Sequence, residues 1–191
     1  MWIGIAVVLV LIGVTSYSFR FKDIEVPKYK VLKTIGKVEI REYPSLIMAR
    51  TSLSSNEYKS SGNNGFRTVA SYIFGGNSKQ QKIAMTAPVI MNMGDSASMS
   101  FVMPREYERK DLPEPSSNLV RLVEQPPKVL AVLNFGGFSD DKKIKRYADA
   151  LRNTLIENDI QIVGPLQFMG YNAPWDMINR RNEVAFEVDG F

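Results

Sequence analysis

The chain of 191 residues contains neither cysteine nor histidine. Without cysteine there is no disulfide, no thiolate nucleophile and no cysteine-ligated zinc, and thiol usage says nothing about redox compartment. Without histidine the commonest general base and the commonest transition-metal ligand are both missing, so serine triads and zinc hydrolase sites are excluded. A strong excess of one charge is also lacking. The net charge is +4, and the basic residues are scattered among acidic ones rather than massed in a stripe, which gives no support to a nucleic-acid partner.

Long apolar runs are absent but for one. Residues 2–14 are almost wholly apolar and no charged side chain appears before Arg20, a stretch near the lower length limit for a spanning helix. No Lys or Arg precedes it and Thr15, Ser16 and Ser18 make a poor cleavage site. Residues 1–19 therefore read as a single-pass membrane anchor, with an exported, cleaved signal as the alternative. Arg20, Lys22, Lys28, Lys30 and Lys33 follow the segment and favour a cytoplasmic domain, whereas export reverses the side, which stays open. Residues 20–28, with Pro27, read as a linker, and residues 29–191 as one domain large enough to bury a core. Oligomeric state leaves no mark.

What the domain does have is a repeated order. An apolar strand at residues 46–49, an amphipathic helix around residues 66–74 and a strand closing on Ala87-Pro88 recur as residues 129–133, a helix around residues 139–158 and a strand closing on Ala173-Pro174. Two halves with one half-buried sheet face each are expected to pack together around a shared cleft. A hairpin about Ile35-Gly36 puts Val38 and Ile40 on one face and Glu39 and Arg41 on the other. The spacing of Phe66, Val69, Ala70, Ile73 and Phe74 makes a buried helical stripe, with Arg67 and Ser71 on its flank. Residues 104–117 read as an exposed crossover, and Ser139 as the N-cap of the second helix. Pro174, Trp175, Met177 and Ile178 are an apolar cluster on the loop at residues 172–181, where packing explains it less readily than binding does.

Val38-Glu39-Ile40-Arg41-Glu42-Tyr43, Gly75-Gly76-Asn77, Lys82-Ile83-Ala84-Met85-Thr86-Ala87-Pro88-Val89, Phe135-Gly136-Gly137-Phe138, Gly170-Tyr171-Asn172-Ala173-Pro174 and Arg180-Arg181-Asn182-Glu183, in this order and spacing, resemble the SOUL family of haem-binding proteins. The resemblance runs from Tyr29 to Val188. It implies an α+β fold, a distorted antiparallel β-barrel of two βαββ repeats flanked by two helices, to which the N-terminal hydrophobic helix is added. It also implies reversible binding of haem or another tetrapyrrole between the first helix and the late loop, which in this chain means Asn64, Arg67, Ser71 and Phe74 with Tyr171, Trp175, Met177, Ile178 and Arg181.

A porphyrin is a flat apolar disc with two carboxylates, so an apolar groove rimmed by Arg67, Lys82, Arg180 or Arg181 suits it. With no histidine, proximal-histidine ligation is excluded, and of the Tyr and Met side chains that remain Tyr171 and Met177 are best placed in sequence to meet iron. Unligated or weakly ligated packing, for transport or buffering, is the expectation. Arg180 and Arg181 alternate on a strand, so at most one points inward, and Glu183 shares the face of Arg181 in an expected ion pair. The duplicated architecture also resembles ligand domains of GyrI-like regulators, in which a buried acid recognises cationic ligands. Glu183 is the candidate for that alternative, and no helix-turn-helix accompanies it. Catalysis is not expected, since no nucleophile–base pair or metal-ligand cluster is visible.

Overall fold

The computed structural model describes residues 24–172, 176 and 179–191. The apolar stretch at residues 2–14, and with it the expected N-terminal helix, lies outside the described residues. Among those described, no helix is long and apolar enough to cross a membrane. The elements are β1 (Lys30–Ile35), β2 (Val38–Tyr43), β3 (Leu46–Ser52), α1 (Tyr58–Ile73), β4 (Val89–Asn92), β5 (Ser98–Val102), β6 (Arg121–Gln125), β7 (Lys128–Gly136), α2 (Asp141–Glu157), β8 (Gln167–Gly170) and β9 (Arg181–Glu187).

All strands join one antiparallel sheet in the order β1-β2-β7-β9-β8-β4-β5-β3-β6. Leaving out β1, this order reads the same from either end when β2, β3, β4 and β5 are exchanged for β6, β7, β8 and β9. The duplication is therefore real, with β3-α1-β4-β5 and β7-α2-β8-β9 as its βαββ units. The Ala-Pro pairs are not its equivalent points: Ala87-Pro88 precedes β4, whereas Ala173-Pro174 follows β8 in the chain. Each unit is preceded by a strand that it lends to the other half, because β2 pairs with β7 and β6 with β3.

That exchange forces the sheet to curl. Pro44-Ser45 joins β2 to β3, and Pro126-Pro127 joins β6 to β7, yet each pair of joined strands stands six places apart in the sheet order. Six strand spacings in a flat sheet span about 29 Å, whereas the three residue steps of each link reach about 11 Å at most. The antiparallel sheet is thus bent into a half-barrel, and the halves are continuous through the β4–β8 ladder rather than stacked face to face.

Both helices lie on the same face of this sheet, each over its own half, rather than one on each side. Ile144, Ala148, Leu151 and Leu155 of α2 pack with Ile40, Leu133, Val184 and Phe186. Val69, Ala70 and Ile73 of α1 pack with Ala49, Met99 and Phe101. The alternate residues of the same strands, including Arg41, Leu130, Ala185 and Glu183, face the helix-free inner side.

Helix α1 starts at Tyr58, eight residues before the point that its apolar spacing suggests. Its first turns are rich in Ser, Gly and Asn, poor helix formers that tertiary contacts override. The Asp141 carboxylate of α2 accepts from the backbone N–H of Tyr58 at 2.6 Å and of Lys59 at 3.2 Å, so one helix caps the other. Gly65 lets α1 settle on the sheet, since a Cβ there would run into Leu53 and Met99. Phe74 closes the helix and is 62% exposed, outside the buried stripe assigned to it. Asp140, not Ser139, is the N-cap of α2, its carboxylate accepting from Lys143 N–H at 2.7 Å. The segment expected to be a linker is docked by its end, where Glu25 accepts from Ala87 N–H and pairs with Thr86. The crossover after Pro104 is likewise anchored, with Leu112 buried under α1 and Tyr72 donating to the Pro113 carbonyl at 2.9 Å.

Because two charged hydrogen bonds hold the start of α1, Asp141→Ala is expected to lower stability by about 1–3 kcal/mol. Urea denaturation measures this, and the loss should exceed that of Asp149→Ala, whose carboxylate only meets Lys145 on the surface of α2.

Candidate functional site

The residues expected to form one cleft fall into two groups on opposite faces of the sheet. Asn64, Arg67, Ser71 and Phe74 follow at intervals of three and four along α1 and form an exposed stripe on the side away from the sheet. Arg67 makes no ion pair with a described residue. The helical rise separates it from Phe74 by about 10 Å. Lys82, also exposed, is brought beside Phe74 by a backbone bridge as the chain leaves the helix. Asn77 sets that exit: it is buried, its Nδ2 donates to the Tyr72 and Gln81 carbonyls, and its Oδ1 accepts from Lys79 and Gln81 N–H. The Gly75-Gly76-Asn77 motif is thereby a turn that positions Phe74 and Lys82.

Tyr171 and Arg181 turn inward instead. Glu183, fully buried at 0% exposure, receives the Tyr171 hydroxyl at 2.7 Å and Arg181 Nη2 at 2.7 Å, while Arg41 Nη1 reaches both its oxygens at 3.0 and 3.1 Å. Arg41 also donates to Glu39 at 2.7 Å and to the Tyr43 hydroxyl at 3.4 Å, and its guanidinium lies 4.3 Å from the ring centre of Tyr29. Burial opposes the charge of Arg41, but Glu183 with Tyr43 and Glu39 outweighs it and holds the guanidinium above its usual range. Burial, then the neighbouring Glu183 carboxylate, pushes the Tyr171 phenol far above the ordinary tyrosine range. Tyr171 therefore stays protonated and committed to Glu183, which disfavours it as an iron ligand.

The expected Glu183–Arg181 pair is present. Arg41, the second cation, comes from 142 positions away, and its alternation in the sequence places it only on the face opposite Val38 and Ile40. The signal that could have found it is Tyr43, two residues on, which gives that face an aromatic where a solvated edge has little use for one. Arg180 points away from Arg181, stacking 4.7 Å over Phe138 and donating to the Asp176 carbonyl at 2.6 Å. The neck of the late loop is tied by Asn172, whose Oδ1 accepts from Arg181 N–H at 2.7 Å, and by Asn182, which donates to the Gly137 carbonyl at 2.8 Å. Trp175, Met177 and Ile178 lie outside the described residues. Among those described, no group of acidic side chains could hold a metal ion.

A family model described as "SOUL heme-binding protein" matches residues 24–187. The chain is 30% identical over 175 residues to "Heme-binding protein 2" of Mus musculus, covering 84% of each chain. It is 31% identical over 158 residues to the Homo sapiens protein of the same name, covering 78% of this chain and 77% of that one. Among solved structures, the EcmrR C-terminal domain has a similar fold, with a TM-score of 0.62 at 10% identity, over 85% of this chain and 99% of that domain.

Removing the charge that holds two cations inside the sheet should be costly. Glu183→Gln is expected to destabilise the domain by about 3–5 kcal/mol in chemical denaturation, as the breaking of a buried pair does. Arg181→Met, which removes a cation 38% exposed in its side chain, should cost less.

Proposed function

The chain belongs to the SOUL heme-binding protein family, and from that premise we propose that it binds haem, or a related tetrapyrrole, on the outer side of the sheet between the exposed stripe of α1 and the late loop. The observation that carries this reading is the stripe itself. Asn64, Arg67, Ser71 and Phe74 offer an apolar ring and a cation that makes no ion pair with a described residue on one helix face, with Lys82 alongside, and a porphyrin needs an apolar contact with basic groups at one edge. Trp175, Met177 and Ile178 complete the apolar wall in this proposal. The β4–β8 register supports the pairing of loop with helix: Val89 stands opposite Gly170, so the chain entering the loop at Tyr171 runs beside Pro88 and the segment leaving α1.

The inner side suits a macrocycle less well. A cavity on this side, between Arg50, Ser100 and Lys128, measures about 270 Å³, just below the range for ordinary ligand pockets. Tyr171 and Arg181 contribute indirectly, by fixing the neck of the loop, rather than by touching the pigment. With Tyr171 engaged and no imidazole in the chain, binding is reversible packing without a strong axial ligand, which suits transport or buffering rather than catalysis. Residues 2–14 tether the domain to a membrane in the same proposal. The similar fold of the EcmrR domain is compatible with a GyrI-like effector module. Glu183, however, already meets two guanidinium groups, which removes the vacant negative charge that a cationic ligand requires.

Haemin titrated into the full chain is expected to give a saturable Soret shift at micromolar concentration. Arg67→Glu should weaken it by about tenfold, the equivalent of roughly 1.4 kcal/mol, while Tyr171→Phe should leave the Soret position unchanged. A Soret band that moves with Tyr171→Phe and ignores Arg67→Glu contradicts the proposed site.

A further inference from the structure

The inner face of the half-barrel is treated differently by its two halves. Across the middle of the sheet runs the row Arg50, Ser100, Ile90, Met169, Glu183, Asn134, each residue paired with the next. The exchange that relates the two halves puts Ser100 where the other half has Glu183. Around Glu183 the space is filled by Arg41, Arg181, Tyr171 and Tyr43. Around Ser100 it is open, as a cavity of about 270 Å³ that Arg50 and Lys128 enter from opposite walls, β3 and β7.

These two cations are underused. Arg50 donates Nε to Ser100 Oγ at 3.0 Å and meets Met48 Sδ at 3.9 Å, but makes no ion pair with any described residue. The Lys128 side chain is 11% exposed, its Nζ lies 4.0 Å from Glu187 without a hydrogen bond to a described residue, and burial pushes its ammonium below the usual range, with Arg50 adding to that effect and Glu187 opposing it. Ser98, Asn92 and Gln167 add neutral polar groups to the wall. Two carboxylates also line the cavity: Glu187, its side chain 40% exposed, and Glu124, an exposed residue of the edge strand β6. Arg50 and Lys128 together call for anionic oxygens, and the carboxylates at the rim call for hydroxyl donors on the same ligand.

We propose that this cavity is a second binding site, separate from the tetrapyrrole site, for a small hydroxylated organic anion whose carboxylate or phosphate sits between Arg50 and Lys128. The volume admits such a molecule and excludes a macrocycle. Its two possible head groups share one chemistry, anionic oxygens on two cations.

The test is calorimetric titration of the full chain with citrate and with glycerol 3-phosphate, inorganic phosphate serving as the bare anion, at constant ionic strength set with chloride. A saturable heat from citrate or glycerol 3-phosphate is expected, and the responding arm identifies the head group. Lys128→Met and Arg50→Met should each weaken it at least about tenfold, Arg50→Lys should weaken it less, and the haemin titration of Lys128→Met should match that of the unaltered chain. A second readout needs no variant: the bound anion should slow amine acylation of Lys128, followed by mass spectrometry. The proposal is overturned if no probe gives saturable heat, if the Met variants bind as the unaltered chain does, or if Lys128 is acylated at the same rate with and without saturating probe.

Discussion

Everything in this domain depends on two links that are too short for the distance they have to cover. Pro44-Ser45 and Pro126-Pro127 each connect strands six places apart in the sheet, and no flat sheet can accommodate them. Proline suits the task because it donates no ladder hydrogen bond and restricts its own backbone and that of the preceding residue. The bend they impose brings β3 opposite β7, so side chains from strands far apart in hydrogen-bonding order meet inside. The helices are left to cover the other face, and that division decides which residues can face a ligand.

Inside the bend, the chain keeps charges that a small core would ordinarily exclude. A buried carboxylate is expensive to desolvate, and its attraction to cations offsets the cost only where geometry is good and other hydrogen bonds are complete. Glu183 meets both conditions through Arg41, Arg181 and Tyr171, drawn from β2, β9 and the neck of the late loop. The network thus ties the lent strand β2 to the second half and holds the loop where it leaves the sheet. Among the described residues the first half shows no equivalent network, and Ser100 stands at the corresponding point beside an open cavity.

The sequence was most legible where a local period coincided with burial. The turn at Gly36, Val38 and Ile40 together on one face of β2, and the strand–helix–strand order of each half are found where the sequence puts them. It was least legible where a distant residue did the deciding. The start of α1 depends on Asp141, more than eighty positions later, and no propensity scale rates Ser-Ser-Gly-Asn-Asn-Gly as helix. Arg41 reads only as a strand residue opposite Val38 and Ile40, and it is the curl that makes its face an interior one. Likeness to the family groups Tyr171 and Arg181 with the α1 residues, but strand parity sends them to the other side of the sheet. Glu183 and Arg181, two apart on one strand, were within reach of local reasoning and are found paired.

The domain therefore separates two surfaces: an inner one, filled by its own ion pairs in one half and open in the other, and an outer one where α1 presents Arg67 and Phe74. The account holds that a tetrapyrrole uses the outer surface alone. Hydrogen–deuterium exchange of the full chain with and without haemin tests that claim most directly. Protection is expected across residues 64–82 and the loop at residues 172–181, with β2, β7 and β9 unchanged. Protection concentrated in β2, β7 and β9, with α1 unaffected, would contradict it.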